Sequence, residues 1–123
     1  MSALAGIRTE LAEALAGVDA TIYDYLPEMI AAPAVVILPG DPYIASNEQP
    51  FGYFEGKYTL VAIANVAPNR EATKALDLLI EVVVAAVIAE GYGLEQVAAP
   101  YAFESGGAVH LAADITITTT FSF

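Results

Sequence analysis

The single histidine, His110, is the residue of this chain with the widest choice of chemistry, because imidazole serves as a general base or a metal ligand near neutral pH. It lies within an alternating pattern over residues 108–123, whose odd positions are mostly apolar and whose even positions are mostly polar. A hairpin turn at 104–107 would place Tyr101 across from it. Because no second histidine completes a metal pair, we interpret His110 as a solvent-facing side chain.

The carboxylates and hydroxyls suggest no catalytic constellation either. Asp41, Glu48 and Glu55 share one segment, but their spacing does not follow the alternating oxygen ligands of a calcium loop. None of the serines lies in a nucleophile-elbow motif, and the chain has no cysteine. We therefore predict that the protein is not an enzyme and has no catalytic residue, cofactor or metal.

The charge balance limits the class of partner. Four basic residues against fifteen acidic ones give a formal net charge of −11, which provides no cationic surface for gripping phosphates. An acidic surface of this kind commonly serves only to keep a protein soluble, and this is the interpretation that we favour. It also suits a wall past which DNA slides without sticking.

Length and hydropathy indicate one domain of the soluble class. The 123 residues suffice for a single core, and no stretch is long enough to span a bilayer. Arg8, Glu10 and Glu13 interrupt any signal-peptide core, so we expect a protein that is not exported. The apolar fraction of 57% is high for so few charges, and an oligomer that hides further surface would account for it.

The clearest predicted element is a long helix over residues 69–91, with Asn69 as a cap and Gly91 as its stop. Its charged residues are spaced by four, three and four positions and form one solvent-facing stripe, namely Arg70, Lys74, Asp77 and Glu81. Residues 82–89 are apolar on all sides. We expect the first helix or a neighbouring subunit to cover them.

The remaining segments predict the fold class. An amphipathic helix covers residues 3–17, and an irregular connection follows over 18–32. Strands are predicted at 33–39, 57–65, 97–103 and 108–123, with 57–65 in the centre of the sheet and the end of 108–123 pairing with it or with another subunit. The expected architecture is a single α+β domain over 1–123, with a mainly antiparallel sheet of about four strands and two helices packed on one face.

A long loop is predicted over residues 40–56, and it holds the aromatic residues Tyr43, Phe51, Tyr53 and Phe54. Aromatic side chains argue against a disordered linker. They are not interleaved with lysine or arginine, so stacking on nucleic-acid bases is not favoured. Two interpretations remain open, namely contact with another protein and packing onto their own domain.

Most of the chain resembles the tail terminator proteins of long-tailed bacteriophages. The resemblance is carried by the element order and by three stretches, which are PAVVILPGDPY, GYFEGKYTLVAIANVAPNREATKALDLL and TITTTF. Tail terminators are small α+β subunits that close into a ring, often a hexamer, that caps the tail tube and receives the head connector. The resemblance implies a structural protein of the virion tail or neck, assembled in the host cytoplasm.

The same resemblance implies the partners. They are further copies of this chain, the tail tube protein and the head–tail connector protein. DNA would pass through an acidic lumen without specific binding, and no membrane is involved. Candidate subunit-interface residues are the loop aromatics, the apolar end of the long helix and the terminal aromatics: Tyr43, Phe51, Tyr53, Phe54, Val84, Ile88, Phe121 and Phe123.

Two alternatives accompany this expectation. The first is another neck protein, such as a head–tail adaptor or a tail-completion subunit, which has the same general appearance. The second is a regulatory domain that binds a small ligand between the helix beginning at Asn69 and the sheet.

Overall fold

The computed structural model describes residues 2–46, 53–65 and 69–122. Within them the chain forms an α+β fold with two helices and a six-stranded, mostly antiparallel sheet. The helices are α1 (Ala3–Ala14) and α2 (Asn69–Ala89). The strands are β1 (Thr21–Tyr23), β2 (Ala34–Ser46), β3 (Tyr53–Ile63), β4 (Gly93–Val97), β5 (Tyr101–Ser105) and β6 (Ala108–Ser122).

The sheet is built around β3 and β6, in the order β1-β2-β3-β6-β4 with β5 also paired to β6. Only β1 and β2 pair in parallel. The strand predicted over 57–65 corresponds to β3. Its predicted central position is confirmed, because β3 lies between β2 and β6. The C-terminal half of β6 pairs with β3 as far as Ser122. This is one of the two pairings that the sequence predicted for it, the other being with another subunit.

The sheet has more strands than the four expected. β1 has only three residues and lies among turn residues, so it shows no readable period. The strand expected over 97–103 is two strands, β4 and β5, which pair with successive parts of β6. Pro100 lies between them, and proline cannot donate a ladder hydrogen bond.

The segment predicted as a loop over 40–56 is largely strand, which corrects that expectation. β2 continues past Pro39 to Ser46, and β3 begins at Tyr53. A register shift between Pro39 and Ile44 places Pro42 in an irregular part of the β2–β3 ladder, where a missing amide is tolerated. Residues 47–52 lie outside the described part of the chain.

Both helices pack on one face of the sheet, as predicted. Leu11 and Leu15 from the α1 region and Leu76 and Val83 of α2 are buried in one cluster. Its sheet side comes from alternate residues of the central strands, namely Leu60, Ala62, Ile115 and Ile117. The charged stripe of α2 faces solvent, as expected.

The end of α2 follows its local sequence signal, whereas α1 ends before its predicted stop. Gly91 has φ of 90°, and the amides of Gly91 and Tyr92 donate to the carbonyls of Ile88 and Val87, which closes the end of α2. α1 ends at Ala14, earlier than the predicted stop at Gly17, and Leu15 caps it. In the described part of the chain, neither helix combines the length and apolar character that crossing a bilayer requires.

Candidate assembly surfaces

His110 is buried rather than solvent-facing, which corrects the sequence-based interpretation. It is 8% exposed, and its Nδ1 lies 3.0 Å from the carbonyl oxygen of Ala64. Phe103, not Tyr101, is its cross-strand partner, because the hairpin turn contains only Gly106 and Gly107.

The sheet face away from the helices carries a second, smaller core. Val36, Val61, Ile63 and Ala112 are buried there. The segment after β1 covers them, together with Phe103. A sheet buried on both faces places some even-numbered positions of β6 in the interior, which the polar alternation did not predict.

Tyr43, one of the predicted interface residues, is half-buried and packs against its own domain. Its ring meets that of Tyr58 edge to face, with centroids 5.5 Å apart. Its hydroxyl accepts a hydrogen bond of 3.1 Å from Nη2 of Arg8, and the hydroxyl of Tyr58 donates to the carbonyl of Leu4 at 3.2 Å. These contacts fasten α1 to the β2–β3 hairpin.

The same cluster changes the acidity of Tyr58. Burial, and then contact with Tyr43, raise the pKa of Tyr58 well above the ordinary tyrosine value of 10.0. The pKa of Tyr101 is also raised, first by burial and then by its hydrogen bond of 2.7 Å to Oδ1 of Asp114. Both phenols therefore stay neutral at physiological pH and act as structural hydrogen-bonding groups.

Two further predicted interface residues form a pair at the far end of β3 and β6. Phe54 and Phe121 are cross-strand partners with ring centroids 6.1 Å apart. Phe121 lies over Gly56, where an added Cβ would come within 2.8 Å of its ring. Phe121 is buried, Phe54 is half-buried, and Tyr53 beside them is exposed.

The remaining predicted interface residues also differ in solvent exposure. On α2, Val84 is half-buried against the main core, whereas Ile88 is exposed. Phe51 and Phe123 lie outside the described residues. Tyr53 and Ile88 are thus the predicted interface residues that the described structure leaves open to solvent.

The described structure exposes two apolar surfaces. The sequence reasoning missed the first, and of the second it anticipated Val82, within the apolar stretch 82–89, but not Leu78. The first is the 24–29 segment, where Tyr25, Leu26 and Met29 are exposed. The second lies on α2, where Leu78 and Val82 are exposed beside an open groove of about 380 Å³. The signals were present, since Leu78 and Val82 are four residues apart on α2, and Leu26 and Met29 lie in a turn-rich segment without a core-facing period.

The polar clusters of the described residues do not form a metal centre. Glu10, Glu13 and Glu90 surround an open depression beside Tyr92, and no three His, Cys, Asp or Glu side chains in this part of the chain are arranged to hold an ion. Burial, followed by the charges of Glu10 and Glu90, raises the pKa of Tyr92. This depression therefore has the character of an acidic surface.

Comparison with known proteins adds no relative to this picture. The chain matches no protein-family model, and no curated protein sequence matches it significantly.

Proposed function

We propose that this protein is a structural subunit of a phage tail or neck that closes into a ring with further copies of itself. Its position would be that of a tail terminator, at the head-proximal end of the tail tube and below the head connector. The proposal involves no catalysis and no cofactor. Its support is the resemblance in element order together with the surface properties of the fold.

The observation that carries the proposal is the presence of exposed apolar side chains on separate sides of one small domain. They lie on the 24–29 segment, on α2 and on the edge strand β4, and they include Tyr25, Leu26, Met29, Leu78, Val82, Ile88, Leu94 and Val97. A monomeric soluble domain rarely exposes several such surfaces. A subunit with neighbours on both sides and at its ends would cover them.

The net charge of −11 is consistent with this role. A ring of such subunits would carry a strongly negative potential, and its lumen would repel the phosphates of a passing genome. This would let DNA slide through without a binding site. Purely electrostatic adhesion of DNA to the ring is not expected.

A ligand-binding role is less well supported. The space between α2 and the sheet, where a ligand was expected, is occupied by Leu76, Val83 and Val87 against Ile115 and Ile117. At the start of α2, a groove of about 290 Å³ between Ala72 and Thr73 of the helix and His110 of β6 is open to solvent, as are the acidic depression and the groove beside Leu78. A neck adaptor or tail-completion subunit remains the alternative position for the same kind of ring.

Immunogold electron microscopy of the phage particles produced with this protein tests the proposed function. We expect gold label at the junction between head and tail in intact particles. Tailless heads would lack the label if the ring belongs to the tail, whereas label on such heads would favour the adaptor position. Particles without label at the junction, with the protein left in the soluble fraction, would contradict the proposal.

A further inference from the structure

The groove at the start of α2 lies beyond the filled space between that helix and the sheet. Its volume is about 290 Å³, close to the lower end of the range of roughly 300–1,000 Å³ that is typical of ligand pockets. We call it the His110 groove. Its lining comes from the residue that follows Ala64, from α2, and from β5 and β6, and consists of Asn65, Ala72, Thr73, Ala102, Val109, His110 and Leu111.

The lining of the His110 groove sets it apart from the other two depressions. No acidic residue is among the described residues that line it, although the chain has fifteen. The depression beside Tyr92 is lined by three glutamates, and the groove beside Leu78 includes Asp19. A mostly apolar lining with a few placed polar groups is typical of sites for small molecules.

The end of β3 fixes the protonation of the imidazole. The amide of Ala64 donates to the carbonyl of Leu111 at 2.9 Å, and the carbonyl oxygen of Ala64 lies 3.0 Å from Nδ1 of His110. A carbonyl oxygen can only accept a hydrogen bond, so Nδ1 carries a proton. In the neutral imidazole, Nε2 then has no proton and presents a lone pair.

Nε2 of His110 has no partner, yet it is not sealed from solvent. The side chain is 8% exposed, and the bond from Nδ1 is the one hydrogen bond that it makes within the described residues. In that part of the chain, Nε of Arg8 is the one side-chain nitrogen or oxygen atom that is fully buried without a partner. Nε2 is therefore accessible, and since His110 lines the groove, the groove is where a ligand would reach it.

This arrangement defines the class of ligand. A lone pair on Nε2 accepts a hydrogen bond from a hydroxyl or N–H group, and the surrounding alanine, valine and leucine side chains contact an apolar body. An anion would require a second proton on the imidazole and would approach a protein with a net charge of −11. A metal ion would need further ligands, and no three His, Asp or Glu side chains of the described residues are arranged to hold one.

We propose that the His110 groove binds a small uncharged molecule whose hydroxyl or N–H group donates to Nε2 of His110. The apolar part of the ligand packs on Ala102, Val109 and Leu111. This binding is a property of the single chain, so the inference does not depend on the proposed ring.

Phenol is the probe, because it combines one hydroxyl donor with a compact apolar ring. His110 is the only histidine of the chain, so the imidazole signals in nitrogen-15 NMR belong to it alone. At about pH 8, where histidine side chains are ordinarily neutral, we expect the free protein to carry the proton on Nδ1. Phenol should move the Nε2 signal in a saturable way with a Kd of about 1 mM, and the Nδ1 signal should change little.

Fluorobenzene is the matched ligand, because a fluorine atom replaces the hydroxyl group and leaves no donor. It should bind about three- to ten-fold more weakly than phenol, the scale of one neutral hydrogen bond. Equal affinities for the two ligands would overturn the inference. An Nε2 signal that phenol does not move, or a free protein with its proton on Nε2, would do the same.

Ala102→Leu tests the location of the site. Ala102 is exposed, so the variant should fold, and the larger side chain occupies part of the groove and should weaken phenol binding by at least about five-fold. Ala99→Leu makes the same change at an exposed position that does not line the groove, and should bind phenol as the natural protein does. An affinity that falls equally in both variants, or in neither, would contradict the site.

Discussion

Gly56 shows how a single residue determines the packing of the aromatic pair Phe54 and Phe121, which lies between β3 and β6. A Cβ at this position would lie 2.8 Å from Cε1 of Phe121, so a side chain here must displace that ring. Phe121 in turn packs beside Phe54. The absence of a side chain at Gly56 therefore lets β3 and β6 bring both rings together.

We predict that Gly56→Ala lowers the free energy of unfolding by about 1–3 kcal/mol, because it overpacks this site. Gly6→Ala is the matched control. Gly6 lies in α1 with open space around its Cα, and alanine there should raise stability by about 0.5–1 kcal/mol. Urea unfolding of dilute protein measures both. Equal effects of the two substitutions would contradict the placement of Phe121.

His110 shows where residue-level reasoning from sequence fails. It lies at one of the even positions of β6, most of which are polar, and this pattern alone favours a solvent-facing side chain. In the structure it is buried, with Phe103 as its cross-strand partner, on a sheet whose second face is covered in part by Ile30 and Ala32. The segment that holds Ile30 and Ala32 has no periodic pattern, so the sequence does not reveal which strand residues it shields.

At the scale of elements, the Arg8–Tyr43–Tyr58 cluster joins α1 to the β2–β3 hairpin. Tyr58 is fully buried, and its hydroxyl donates to Leu4 at the start of α1. Because its pKa is raised in the fold, the native state holds the phenolic proton more tightly than the unfolded chain does. This contribution to stability is complete below about pH 10 and is lost as pH rises further.

We therefore predict that Tyr58→Phe costs about 1 kcal/mol of stability at pH 7, where only the hydrogen bond is lost. Above pH 10 the difference between the natural protein and the variant should narrow, because only the natural protein carries the penalty of ionising Tyr58. Urea unfolding from pH 7 to pH 11 checks this. Tyr25→Phe, at an exposed tyrosine, should follow the natural protein throughout, and a Tyr58→Phe difference that is constant with pH would refute the linkage.

The elements themselves were predictable to different degrees. α2, β6 and the central position of β3 follow from strong periodicity and clear end signals such as Gly91. The extension of β2 beyond Pro39 was not predictable, because prolines normally end strands and the ladder irregularity that accommodates Pro42 has no sequence signature. Tyr43 lies in this extension of β2, and its packing against Tyr58 is one of the two interpretations that the sequence left open for the aromatic residues of this segment.

At the scale of the whole molecule, the account depends on acidic copies that associate despite their like charge. Burial of the exposed apolar side chains on the 24–29 segment and α2 would supply the favourable free energy of this association. Such a subunit should assemble to a closed particle of one size.

The most direct measurement of this central claim is the molar mass of the purified protein by light scattering, from micromolar to millimolar concentration. The account predicts one particle several times the 12.9 kDa mass of the chain, with six copies expected from the resemblance to tail terminators. Leu78→Ser should shift that particle to monomer without unfolding it. A natural protein that stays at 12.9 kDa over the whole concentration range would contradict the ring.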